Sequence, residues 1–269
     1  MPRARRGRGT GLPRVLLLPA ALGFAFLLLP LLALVVRAPW RTLPSLLVSP
    51  EVGTTLRLSL VCATSATVLC LILGVPLAWV LARADFPGRR LVRALVTVPL
   101  VLPPVVGGVA LLLLLGRRGL LGRYLDAWFG ISVPFTTGAV IIAEAFVAMP
   151  FLVIAVEGAL RSADRRYEDA ASTLGASRGT ILRTITLPLI APGVSAGAVL
   201  CFARALGEFG ATISFAGSFP GVTQTTPIAV YLALESDPPA AIALSLVLLG
   251  VSVLVLVSLR ERWMTGAPT

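Results

Sequence analysis

The chain has 269 residues, 57% of them hydrophobic and only 13% charged, with a mean hydropathy of +0.95. Soluble domains carry about 25% charged residues. Several apolar runs here reach the roughly 20 residues that cross a hydrocarbon core of about 30 Å, so a soluble core is excluded. All 23 basic residues are arginine, lysine and histidine are absent, and the net charge of +11 is scattered over loops and termini. That pattern reads as membrane topology rather than as a nucleic-acid surface.

In chain order, residues 1–14 carry five arginines and lead into an apolar run over 15–36. The run exceeds the about 7–15 residues of a signal-peptide core and lacks a clear small-x-small cleavage site. A first transmembrane helix is therefore expected, with Pro19 and Pro30 bending it. A short loop, 37–56, precedes a second span over 58–82. Residues 83–93 hold four arginines and a Pro-Gly turn signal. The third span, 94–115, contains Pro99, Pro103, Pro104 and the pair Gly107–Gly108. Proline frees backbone carbonyls that lipid does not satisfy; a pathway-lining helix and a packing kink both fit. The loop 116–137 carries Arg117, Arg118, Arg123 and Asp126, and the fourth span, 138–160, carries Glu144, Pro150 and Glu157.

A polar stretch, 167–188, interrupts the apolar pattern. The fifth span, 189–215, holds Arg204 and Glu208. The loop 216–240 has no basic residue but includes Glu235 and Asp237; the sixth span is 241–259, before a tail at 260–269. Cys62, Cys70 and Cys201 lie in apolar segments without a CxxC pair, so neither a zinc site nor a disulfide framework is expected. The expected fold is an all-α polytopic membrane protein: a leader at 1–14, a six-helix transmembrane domain over 15–259 with a polar loop at 161–188, and the tail.

With the N-terminus in the cytoplasm, the segments on that side carry 16 arginines and those opposite carry 5. The positive-inside rule favours this orientation, with both termini and the polar loop cytoplasmic; the Arg117, Arg118 and Arg123 loop is the dissenter. The polar loop reads as two short helices joined at Gly175. Asp164 and Ser177 are cap residues, Glu168 and Asp169 lie near the positive end of the first helix, and Gly175 suits a left-handed helix end. A docking helix and a solvated linker fit these local signals equally.

The series Asp169-Ala170-Ala171, three residues, Gly175, nine residues, Ile185-x-Leu187-Pro188 resembles the EAA loop of the membrane subunits of ABC importers. Asp169 stands where the motif has glutamate, with Glu168 just before it. The resemblance implies the type I importer transmembrane fold and a coupling helix seated in a separate ATPase subunit, with Glu168, Asp169, Ala170, Ala171, Gly175, Leu187 and Pro188 as coupling residues. The chain has no G-x-x-x-x-G-K-[ST] phosphate loop, so it is not expected to be an enzyme. ATP–Mg is expected on the partner ATPase, with no cofactor or metal in this chain.

Residues 202–234 are similar to the molybdate permease subunits of ABC importers; sulfate permease subunits share the Ala-Arg-x-Leu-Gly-Glu part. The resemblance implies a homodimer in a bacterial cytoplasmic membrane, two ATPase subunits, and an extracytoplasmic oxyanion-binding protein as partners. Arg204 and Glu208 are four residues apart and can pair on one helix face. Intramembrane charges are functional candidates, so Arg204, Glu208, Thr212 and Ser214 are candidates for pathway or gate. A structural ion pair is the favoured role for Arg204, ahead of anion contact. Gly193 and Gly197 leave the fifth span smooth for packing within one subunit or across the dimer. Ile228, Tyr231, Leu232 and Glu235 fit an amphipathic helix at the outer surface, where Glu235 and Asp237 are candidates for docking the binding protein. The rival readings are a sulfate or other oxyanion permease, an ion-coupled secondary transporter and an intramembrane enzyme. The last lacks histidine and any carboxylate pair.

Overall fold

The computed structural model describes residues 14–265. The arginine-rich leader, save Arg14, and the last four residues of the tail lie outside the described residues. The first span is α1 (Arg14–Val36), which runs through Pro19 and Pro30. A short α2 (Leu43–Leu47) leads to α3 (Pro50–Arg83). There Ser49 accepts from the Val52 amide at 3.4 Å and Pro50 occupies the first turn, where its missing N–H costs nothing. The fourth predicted span is α7 (Thr137–Ser162), started by Thr136 accepting from the Ala139 amide at 3.1 Å.

The third and fifth predicted spans are not single helices. The third is split into α4 (Arg89–Val101) and α5 (Pro104–Leu115), whose axes bend by 116°. Pro103 and Pro104 explain the break: they supply no amide hydrogen and disfavour helical geometry in the residue before them. The two pieces pack at different heights along α7. Arg93 on α4 pairs with Glu157 near the C-terminus of α7, whereas Gly107 on α5 packs on Phe146, nearer the middle of that helix. Among the described residues five helices are long and apolar enough to cross a membrane, or six if this bent pair is one span.

The polar loop holds α8 (Arg166–Thr173); the fifth span then begins with α9 (Arg178–Ile181) and a π-helical turn (Leu182–Thr186). It continues as α10 (Leu187–Leu206), stops at Gly207–Phe209, and resumes as α11 (Gly210–Ala216). Besides α2, the helices within predicted loops are α6 (Gly122–Phe129) and α12 (Thr226–Ser236). The last span is α13 (Pro238–Thr265).

The core lies where α3, α7 and α10 meet, and most of its residues are small: Ala63, Ala66, Cys70, Ala145, Ala148, Cys201 and Ala205 are fully buried. Apolar side chains gain little by leaving lipid, so close backbone approach is what holds such helices. A Cβ at Gly197 would sit 2.9 Å from the Ala155 Cβ, and one at Gly193 would collide with Ala159. The glycine face therefore packs within one chain, against α7. All three cysteines are free and buried; the Cys70 thiol donates to the Ala145 carbonyl at 3.4 Å. By contrast, the apolar surface of α1 is exposed along its whole length, as a lipid-facing helix requires.

Candidate functional site: a tethered polar loop and a broken fifth span

The polar loop forms one end of the bundle, beside the C-termini of α3 and α7. Asp164 accepts from the Arg166 amide at 3.0 Å and starts α8. The helix ends in a Schellman motif. The Gly175 amide donates to Ser172 O and the Ala176 amide to Ala171 O, both at 3.0 Å, with Gly175 at φ +83°. Ser177 then accepts from the Thr180 amide at 3.2 Å and caps α9. The helix–glycine–helix grammar read from sequence is thus present.

Asp169, Ala170, Gly175, Leu187 and Pro188 are exposed, Ala171 is half-buried, and Leu174 is 88% exposed. Leu187 and Pro188 form the first turn of α10 rather than the close of the loop. Glu168 differs from its neighbour. Its Oε1 accepts from Arg83 Nη2 and from Thr186 Oγ1, each at 3.0 Å. One carboxylate thereby ties α8 to the end of α3 and to the π-turn. Sequence reading counted Glu168 among the coupling residues; the structure turns it toward the bundle, because a guanidinium stands within reach at the end of α3.

A second clamp went unpredicted. Glu157 on α7 accepts from Arg93 at 2.7 Å and forms an ion pair with Arg161 at 2.7 Å. Arg89 donates to Leu81 O at 2.8 Å and Ala82 O at 3.2 Å, satisfying carbonyls at the α3 C-terminus that have no helical partner. The available signal was the charge spacing: Glu157 and Arg161 are one turn apart, and Arg89 follows the helix end closely.

The break in the fifth span is the second locus. Arg204 Nη2 lies 2.6 Å from Glu208 Oε2. Glu208 Oε1 accepts from the Ala211 amide at 2.8 Å and so caps α11. The predicted ion pair is present, but it joins two helices across Gly207–Phe209 instead of lying on one. Glu208 is only 1% exposed, whereas Arg204 is partly open. Thr212 is fully buried and its hydroxyl has no partner; Ser214 spends its hydroxyl on Gly210 O at 2.8 Å. Nearby, Glu144 on α7 is buried with one carboxylate oxygen unpartnered, as is the hydroxyl of Thr225. The α5–α11 contact beside this break is very close: a Cβ on Gly108 would lie 2.6 Å from Ala211 O.

At the far end, α12 is helical but not amphipathic. Ile228, Tyr231 and Leu232 share one face by their spacing, but Val230 and Leu234 lie opposite, so apolar residues surround the helix. Tyr231 stacks against Phe209 at 5.0 Å. Glu235 is exposed, and Asp237 Oδ1 accepts from the Ala240 amide at 3.2 Å, starting α13. The structure therefore gives Asp237 a capping task. Among the described residues no group of three metal-ligating side chains gathers.

Comparison with known proteins agrees with this architecture. Residues 74–266 match the family described as binding-protein-dependent transport system inner membrane component. The molybdenum transport system permease protein ModB of Mycobacterium tuberculosis is 51% identical over 260 residues, covering 97% of this chain and 98% of the relative. The sulfate transport system permease protein CysT of Salmonella typhimurium is 38% identical over 238 residues, covering 87% of this chain and 86% of that one. A solved bacterial ABC transporter chain involved in alginate import superposes with a TM-score of 0.75 at 17% identity, covering 94% of this chain and 95% of that one. That similarity concerns the fold. The chain belongs to the family of binding-protein-dependent transport system inner membrane components.

Proposed function

We propose that the chain is the permease subunit of an ATP-driven importer of molybdate or tungstate, coupled to separate ATPase subunits through residues 164–184. The observation that carries this reading is the near full-length identity to ModB relatives, which exceeds the identity to the sulfate permease relative. The exposed, well-capped α8–α9 loop supports the coupling role: it presents Asp169, Ala170 and Leu174 to a partner, while Glu168 links it to the bundle. In this reading two copies of the chain surround the pathway, two ATPases bind the loops from the cytoplasm, and a binding protein delivers the anion from outside. Both termini are cytoplasmic, as the arginine distribution favours.

No covalent chemistry falls to this chain. A dianion crosses fast only over weak contacts, so a guanidinium already neutralised by a carboxylate suits the pathway better than a free one. Arg204, held by Glu208, meets that condition. Closing of the ATPases on ATP would draw the loops together and move α3 and α10 through Glu168.

Reconstitution with the ATPase and binding protein tests the reading. ATP-dependent molybdate uptake, unmatched by sulfate, is expected; uptake driven by an ion gradient without ATP would sink it. Gly175→Leu tests the loop. A Cβ there meets nothing within 4 Å, so within this chain the Cβ is penalised through φ +83°, a cost of about 1–2 kcal/mol. Membrane insertion should persist while ATP-driven uptake falls; normal uptake would refute the coupling role.

A further inference from the structure

The arginines that break the charge rule, Arg117, Arg118 and Arg123, flank and enter α6, a helix the transport reading leaves without a task. Leu121, Tyr124, Leu125, Trp128 and Phe129 recur at the spacing of one helical face. Almost none of that face is covered: Leu121, Tyr124, Trp128 and Phe129 are all exposed, Trp128 at 73%. Arg123 and Asp126 belong to the other side, and Gly130, at φ +67°, ends the helix. Tyr124 and Trp128 stack at 5.4 Å, and Arg123 lies over the Tyr124 ring at 4.6 Å while donating to its hydroxyl at 2.7 Å.

We infer that α6 is an interfacial anchor, lying flat in one leaflet with its aromatic face among the acyl chains and its arginines on anionic lipid headgroups. Two observations select lipid as the occupant. Exposed Leu113 of α5 and exposed Leu120 are joined by the Leu120 amide on Leu113 O, so the uncovered apolar side chains of the last turn of α5 and of the start of α6 adjoin at this turn. The charge is also complementary to a phosphate layer. Arg117 reaches Asp126 only at 3.5 Å, and Arg118 has no ion pair among the described residues. Tyrosine and tryptophan favour the headgroup level, and guanidinium groups grip phosphate oxygens through paired donors. Tight turns fix the helix at this height: the Leu120 amide bonds Leu113 O at 3.0 Å and the Leu121 amide bonds Leu114 O at 2.8 Å. Which leaflet it occupies follows the orientation proposed above; the anchor itself does not depend on it.

The test uses the full chain in nanodiscs of phosphatidylcholine, with and without phosphatidylglycerol. The three native cysteines are buried, so spin labels can be directed to Trp128→Cys and Ala127→Cys. The label at 128 should collide with oxygen and be shielded from a soluble nickel chelate, and the label at 127 should show the reverse. Free access of the chelate to both would overturn the anchor. Phosphatidylglycerol retained in native mass spectrometry should fall about fivefold for each arginine replaced by glutamine. Unchanged retention in Arg118→Gln and Arg123→Gln would overturn the headgroup assignment. So would loss of binding-protein docking in those variants with lipid retention intact, which would give the arginines to a protein partner.

Discussion

At the loop end of the bundle, carboxylates meet guanidinium groups. Glu168 takes Arg83 and Thr186, and Glu157 takes Arg93 and Arg161. Around the broken fifth span and beyond it, contact is made by glycine faces and hydroxyls. Gly108 touches α11, and Ser59 accepts from the Thr226 amide at 2.7 Å and bonds its hydroxyl at 3.0 Å. Among the described residues the ion pair at the break itself is Arg204–Glu208. The first kind of joint holds separate segments through long side chains that can part and re-form in water. The second depends on backbones meeting at van der Waals distance and tolerates little displacement. The coupling role proposed for the loop suits the former, and a proposed pathway wall suits the latter.

The sharpest way to break this contrast is Gly108→Leu. Any side chain there drives α5 off α11, and overpacking costs about 1–3 kcal/mol or more. The variant should melt well below wild type in detergent. An unchanged melting temperature would mean that the far end yields more easily than described.

Next comes a double-mutant cycle on Arg83→Gln and Glu168→Gln. A partly buried, charge-assisted pair should show a coupling energy of about 1–2 kcal/mol. ATPase coupling should fall in each single variant, and additive effects would remove Glu168 as a tether. Ser177→Ala should cost about 1 kcal/mol of local stability, read as faster hydrogen exchange over α9 with the melting temperature little changed. Thr212→Val should be the mildest. Its hydroxyl is buried without a partner, so replacing it should leave stability level or raise it by up to about 1 kcal/mol. Reduced uptake in this stable variant would show that the hydroxyl serves the anion's passage.

Much of this was legible because lipid imposes a simple rule. Long apolar runs become helices, and four predicted spans survive as single helices, α3 and α13 extended by several residues. The Gly175 turn was equally readable, since its cap chemistry is local. The breaks were harder. Prolines at 103–104 predict some distortion but not a 116° bend, which depends on what α5 packs against. Residues 207–209 contain a glycine but no proline, and the gap there is held by Glu208 reaching the Ala211 amide. The direction of Glu168 depended on Arg83, 85 residues away in sequence. The α6 stripe, in contrast, was present at 121, 124, 125, 128 and 129, inside a stretch read only as a loop because its charges drew attention first.

The π-turn at Leu182–Thr186, closed by the Leu187 amide on Leu182 O, holds one residue more than α-geometry needs. The wide turn absorbs that residue locally, so the helix on either side keeps nearly the phase of an unbroken one. Deleting a single residue from 182–186 would therefore let regular helix form with little rotation, and Glu168 would still face Arg83. A deletion inside α10 has no such slack: everything upstream would turn by about 100° around its axis and carry Glu168 away from Arg83. The wide turn is thus the place where the joint between loop and bundle tolerates a change of one residue.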